Sequence, residues 1–374
     1  MDSSLIVKTQ IGDSFAEEYS DRIQCLDPVN GQVTWSIGQD AINITDPIYS
    51  DNVVYFGAVT GVMESKLYAV GIGTGQAIWD IEMAFTNVRS RPYITDDWVI
   101  FGCTHGQVIA LDKESGQVKF KFESDWYESS VDQIFVIDNR VVACSYTGQI
   151  FACSLDDQHI IWESELPDDD FFRIMTNGKV NMLGRFIVAA IQEIWPKGAS
   201  IPYEEDMDLT HEIWVIDSED GQISGPFGPY DEGAIFITKD YIYSLVETET
   251  SGDVGLNSAE LHLRQWDESK EEFIGRKKTI IPNISALSDI LVGPNRLFGC
   301  DFEHLYAFDF AKCKMSWIIQ DTELASGTPI QLISNLLFVM TTGNTGDDLF
   351  CLDANTGRLL WNYPNILDVA ASIQ

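Results

Sequence analysis

The densest chemistry-bearing side chains lie in three stretches: Pro167–Gly178 (PDDDFFRIMTNG), Glu193–His211 (EIWPKGASIPYEEDMDLTH) and Glu247–Glu260 (ETETSGDVGLNSAE). They carry Asp168, Asp169, Asp170, Glu204, Glu205, Asp206, Asp208, Glu247, Glu249 and Asp253, with Phe171, Phe172, Trp195 and Tyr203 among them. Carboxylates at this density could hold a hard cation. Glu204 to Asp208, however, lacks the ligand spacing and turn glycine of a calcium loop. Carboxylates ringing aromatics also make a protein-binding surface, with a desolvated aromatic centre and a charged rim. That surface is the candidate site. The competing reading is solvated loops whose aromatics pack locally.

Other chemistry is sparse. The five histidines, His105, His159, His211, His262 and His304, are scattered, with no pair at metal-ligand spacing. His105 and His304 precede strand signals and read as turn residues. No G-x-S-x-G, H-E-x-x-H or Walker loop occurs. The glycine-dense Gly71–Gly75 follows a strand into a hairpin rather than a helix, so it offers no helix N-terminus to a phosphate. The expectation is a non-enzyme with no metal and no cofactor.

The elements that must position the acidic stretches are repeats. Eight segments align: Ile23–Trp35, Leu67–Trp79, Val108–Phe120, Ile150–Trp162, Ile213–Gly225, Leu261–Phe273, Leu305–Trp317 and Leu349–Trp361. Their consensus is apolar-x-small-apolar-Asp, three turn residues, Gly, three residues, Trp. The anchor falls at positions 27, 71, 112, 154, 217, 265, 309 and 353. The first five residues alternate, as a strand does. An anchor Asp accepts hydrogen bonds within its turn, and Gly four residues on supplies positive φ. The closing Trp is placed to pack between neighbouring units. Two further strand signals precede each unit, for example 90–94 with 98–103, and 289–292 with 296–300. Four short strands in ~45 residues is the size of one propeller blade.

This A-L-D-x-x-x-G-x-x-x-W unit resembles the PQQ-like propeller repeat, and the resemblance covers nearly the whole chain. That repeat occurs in quinoprotein dehydrogenases and in the propeller lipoprotein of the outer-membrane barrel-assembly machinery. It implies an all-β fold: one domain over residues 1–374, an eight-bladed β-propeller of four-stranded antiparallel blades. Leu367–Gln374 reads as the first strand of a blade and Leu5–Ile11 as the second strand of one. The ring is therefore expected to close by pairing N- and C-terminal strands, which removes exposed sheet edges. The family's dehydrogenases carry an export signal and, in many, an adjacent Cys–Cys pair beside the cofactor. Neither pattern occurs in this sequence.

The seven cysteines all fall on repeat positions. Cys25 and Cys351 take the small slot that Ala69, Ala110, Ala152 and Ala307 take elsewhere, and Cys153 adjoins it. Cys103, Cys144 and Cys300 end a preceding strand, and Cys313 replaces a turn Gly. They read as small buried hydrophobes in a reducing compartment.

Function is expected where repeats differ. The acidic stretches are the largest insertions, at the second-to-third-strand connections of blades five and six and the junction of blades four and five. Shorter excursions occupy the same place in blades two (Ala58–Lys66) and eight (Thr341–Asp348). These connections emerge on one face of a propeller. The charge of −35 repels nucleic acid and anionic lipid and attracts a basic partner. No secretory signal and no run of 18 apolar residues is present. The expectation is a cytoplasmic, monomeric scaffold that binds a basic protein. Its most concrete version is an immunity protein neutralising a cationic toxin. The alternatives are an envelope-assembly scaffold and a PQQ- or small-ligand-binding protein or enzyme.

Overall fold

The computed structural model describes residues 4–11, 20–124, 130–145, 148–166, 171–196, 211–230, 235–238, 241–248, 258–267, 269–270, 272–282, 287–301, 304–320, 327–343, 346–363 and 366–372. The alternating segments form antiparallel strands, and these assemble into eight sheets. Seven sheets have four strands. The eighth, blade two, has five, because its inner edge is split into Asn43–Ile44 and Ile48–Ser50. The first strands of successive blades adjoin one another around the ring. The result is the eight-bladed propeller that the repeat implies. No helix among the described residues is long and apolar enough to cross a membrane.

Closure occurs in blade one. Ile366–Ser372 pairs antiparallel with Leu5–Ile11, which pairs with Ser20–Leu26 and through it with Val33–Ala41. The core lies between blades. Leu5, Val7 and Leu26 of blade one bury against Ile333, Phe338, Leu349 and Cys351 of blade eight, and comparable clusters fill the other seams.

The turn chemistry follows the anchor. Asp27 Oδ1 accepts from Val29 N, Asp217 Oδ1 from Glu219 N, and Asp353 Oδ1 from Asn355 N and Thr356 N. Blade six is built differently. Gln265 was expected to anchor its turn, but Asp267 does so, accepting from Ser269 N and Oγ at 3.1 and 2.6 Å. There Trp266 pairs with Phe273 and Asp267 with Glu272 across the strands, so the hairpin runs two pairs further before turning.

The closing Trp of a repeat docks on the next blade's turn. The indole N–H groups of Trp35, Trp79, Trp162, Trp317 and Trp361 donate to the carbonyls of Ile72, Lys113, Ser218, Ala354 and Pro28, each one residue past an anchor. The turn glycine lies under the ring. A Cβ on Gly116 would lie 2.7 Å from Trp79 Cδ2, and one on Gly75 2.6 Å from Trp35 Cγ. Glycine is therefore required twice over, for positive φ and for space. Where the third blade closes with Phe120 instead, glycine is also absent: Phe120 packs with Leu155 of the turn in which Gln158 stands at φ 55. Blade five closes with Gly225, which has no ring to dock on blade six. At that seam Trp266 instead centres an aromatic cluster with Phe186, Phe227 and Phe273, at ring separations of 4.9 to 5.8 Å.

Candidate functional site

Each blade connects its second strand to its third, and its fourth to the next blade, on one and the same face. Blade five projects furthest there. Its first two strands, Phe171–Leu183 and Phe186–Pro196, run 13 and 11 residues, against 5 each in blade four. Phe171, Phe172 and Trp195 were expected in loops; they are strand residues. Phe171 pairs with Pro196, and Phe172 with Trp195, at the outer end of this two-stranded ribbon. The apolar content of 171–175 and 191–195 allows pairing to continue beyond the blade body. Glu247 likewise lies in a strand, Ile242–Thr248, opposite Ala259. Asp168, Asp169, Asp170, Tyr203, Glu204, Glu205, Asp206, Asp208, Glu249 and Asp253 lie outside the described residues. The backbone thus places three of the predicted aromatics together and Glu247 on the neighbouring blade. The shorter excursions are also strand extensions: blade two turns at Val62–Met63, and blade eight pairs out to Gly343 and Gly346.

Blade six holds a polar network that the sequence reading passed over. Glu260 Oε2 lies 2.9 Å from His262 Nε2 and accepts from Lys278 Nζ at 3.4 Å. Arg264 donates from one nitrogen to Ser244 Oγ at 3.0 Å and sits 3.3 Å from His262 Nδ1 with the other. The hydrogen bond from His262 and then that from Lys278 hold the Glu260 carboxyl below its ordinary range. The signal was available. Arg264 stands where other repeats place Leu26, Val70, Leu111, Cys153, Ile216, Phe308 and Leu352. Ile242, cross-strand from Arg264, packs toward blade five with Ile213 and Val215. The network therefore faces the seam between blades five and six.

The remaining nucleophiles are muted. Cys25, Cys103, Cys144, Cys153, Cys300 and Cys351 are buried free thiols. Burial pushes Cys103, Cys144 and Cys351 up to about 12, which leaves no thiolate at neutral pH. Cys313 departs from the expected burial: it sits exposed on a hairpin turn. His105 occupies a turn at φ 60. His304 opens the strand His304–Asp309 rather than preceding it. Among the described residues no three His, Cys, Asp or Glu side chains converge as a metal site.

Comparison with known proteins gives a consistent picture of the fold. A family model described as outer membrane protein assembly factor BamB matches residues 6–225. The outer membrane protein assembly factor BamB of Yersinia pestis is 22% identical over 174 residues, which is 43% of this chain and 43% of that protein. The chain thus spans less than half the length of this curated relative. Among solved structures, dihydro-heme d1 dehydrogenase NirN superimposes with a TM-score of 0.60 at 11% identity, over 98% of this chain and 73% of that one. The computationally designed Ika8 protein gives a TM-score of 0.55 at 15% identity, over 91% and 93%. At these identities the structural likenesses establish the propeller and nothing of its chemistry.

Proposed function

The chain belongs to the PQQ-like propeller family described as outer membrane protein assembly factor BamB, and from that membership we propose that it is a non-catalytic scaffold that binds other proteins during envelope assembly. The observation that carries this reading is the family match over residues 6–225. Two features of the molecule support it. The largest departures from the repeat are strand extensions and insertions on one face, as a docking platform requires. Six of the seven cysteines are also buried thiols, and Cys313 alone is exposed. Phe171, Phe172 and Trp195 would supply the apolar centre of the platform, and the acidic stretches around 168–170, 204–208 and 247–253 its rim.

The charge of −35 favours a second reading, in which the same acidic face captures a cationic toxin in the cytoplasm. One experiment separates the two. The protein, expressed from its own gene with a C-terminal tag, is fractionated between cytoplasm and envelope and cross-linked to its neighbours at low and at high salt. Recovery from the envelope with barrel-assembly proteins supports the scaffold. Recovery from the cytoplasm with a basic protein lost at high salt supports the inhibitor. Bound quinone absorbance with alcohol-dependent dye reduction overturns both in favour of an enzyme.

A further inference from the structure

Blade two presents three large apolar side chains to solvent in one row. Ile42, Val62 and Phe85 are 46%, 92% and 82% exposed. Ile42 adjoins the second strand of the blade, its N–H donating to Val59 O at 2.8 Å. Val62 sits in the turn joining the second and third strands. Phe85 follows the fourth strand, whose last residue Ala84 pairs with Glu64 beside that turn. The three tips are therefore spread over three strand-to-strand steps, about 14 Å.

The row is held in place at a cost. Met63 and Phe85 have φ of 60° and 64°, the left-handed region that glycine or asparagine enters freely and bulky residues avoid. The backbone after Phe85 is pinned: Asn87 N donates to Thr104 Oγ1, Val88 N to Ser65 Oγ, and Thr104 N to Asn87 O. An exposed Phe in a strained, rigid turn gains nothing from packing within its own chain, and strain of this kind concentrates at functional surfaces. A rigid row of this kind loses little entropy on binding.

The surroundings select the occupant. Glu64 and Glu82 are exposed beside the row, and Lys66 is tied to Asp80 at 2.9 Å. An anionic lipid surface and a second copy of this −35 chain are both repelled. A segment in extended conformation covers about 14 Å in four residue steps and points every second side chain the same way. We infer that the Ile42–Val62–Phe85 row of blade two docks an extended, basic segment of a partner protein, with apolar side chains at alternate positions and Lys or Arg between them. The inference rests on the scaffold reading and names the partner chemistry at a second place on the same face, remote from blades five and six.

The test uses a fluorescent heptapeptide alternating lysine with leucine or valine, titrated into the full chain and followed by anisotropy. Binding is expected, weakened about tenfold by Phe85→Ser or Val62→Ser, each of which leaves the charge unchanged. The exposed Ile280→Ser on blade six should have no effect, and a peptide with glutamate for lysine should not bind. Serine at such exposed positions leaves the core intact, and an unaltered unfolding midpoint verifies it. Equal binding by wild type and the serine variants shows that net charge alone recruits the peptide, and overturns the inference. So does Phe85-dependent dimerisation in sedimentation, or Phe85-dependent adhesion to phosphatidylglycerol vesicles. If Phe85→Ser still cross-links to barrel-assembly proteins in the envelope while peptide binding ignores Phe85, this surface is wrong and the scaffold reading stands.

Discussion

The indole N–H of Trp361 donates to the carbonyl oxygen of Pro28 at 2.8 Å, across 333 residues of sequence. Beside it Tyr363 Oη donates to Gln24 Oε1 at 3.1 Å. The ring is thus fastened at its closure by the same device that joins its ordinary blades. Trp361→Phe removes the donor, leaves the Pro28 carbonyl without it, and should cost about 1–2 kcal/mol. Deleting residues 366–374 should cost more and expose the edge of Leu5–Ile11, giving a lower melting temperature and soluble aggregates in light scattering.

The pairing of glycine with tryptophan predicts coupling. Gly116→Ala places a methyl group against Trp79 at φ 70 and should destabilise by about 1–3 kcal/mol. Trp79→Phe in the same chain shrinks the ring and relieves part of the clash. The double variant should therefore be more stable than the sum of the two singles implies, by about 1 kcal/mol. Urea midpoints of the four chains read this directly.

Cysteine reactivity should be uneven. Native protein treated briefly with iodoacetamide is expected to carry the label at Cys313, and the six buried thiols should react only after denaturation. Peptide mapping checks each position. Native labelling of Cys103 or Cys144 would show that the inter-blade core opens readily.

Acid should weaken the turns. Asp112, Asp267, Asp309 and Asp353 have carboxyls lowered first by the side chains of Ser115, Ser269, Lys312 and Thr356, respectively. Groups depressed in the folded state stabilise it above their unfolded value, about 4, and lose that contribution as pH falls through the folded value. Asp21 has the opposite sign: burial raises it, against the pull of Lys8 and the Ile44 N–H. Its contribution grows as pH falls. With Asp51 and Glu260 also lowered, six groups stand against one, and the unfolding midpoint should be level above about pH 5 and drop below about pH 4. Asp353→Asn should shallow that drop, and Asp21→Asn should steepen it.

Much of this was readable from residue types. Alternation, anchor aspartates and turn glycines recur at a near-constant interval, and local physics then fixes each hairpin. Closure was legible because Leu5–Ile11 and the C-terminal stretch each lack a blade of their own. The tryptophan–carbonyl bond was not legible, since its acceptor is a backbone atom on another blade and leaves no mark in side-chain pattern. Phe171, Phe172 and Trp195 read as loop because the repeat supplies no template for a ribbon longer than the blade. The Glu260–His262–Arg264 network was overlooked because its residues were aligned to an anchor, Gln265, that does not anchor.

Closure through Ile366–Ser372 also sets a timetable. On the ribosome Leu5–Ile11 emerges early, yet blade one lacks its inner strand until Ile366–Ser372 is made. At about 5–20 residues per second, the 333 residues between Pro28 and Trp361 take roughly 15–70 s. Through that interval the apolar edge of Leu5–Ile11 has no neighbour from its own chain. A nascent propeller of this design needs either a chaperone to shield that edge or a provisional pairing that the final strand displaces.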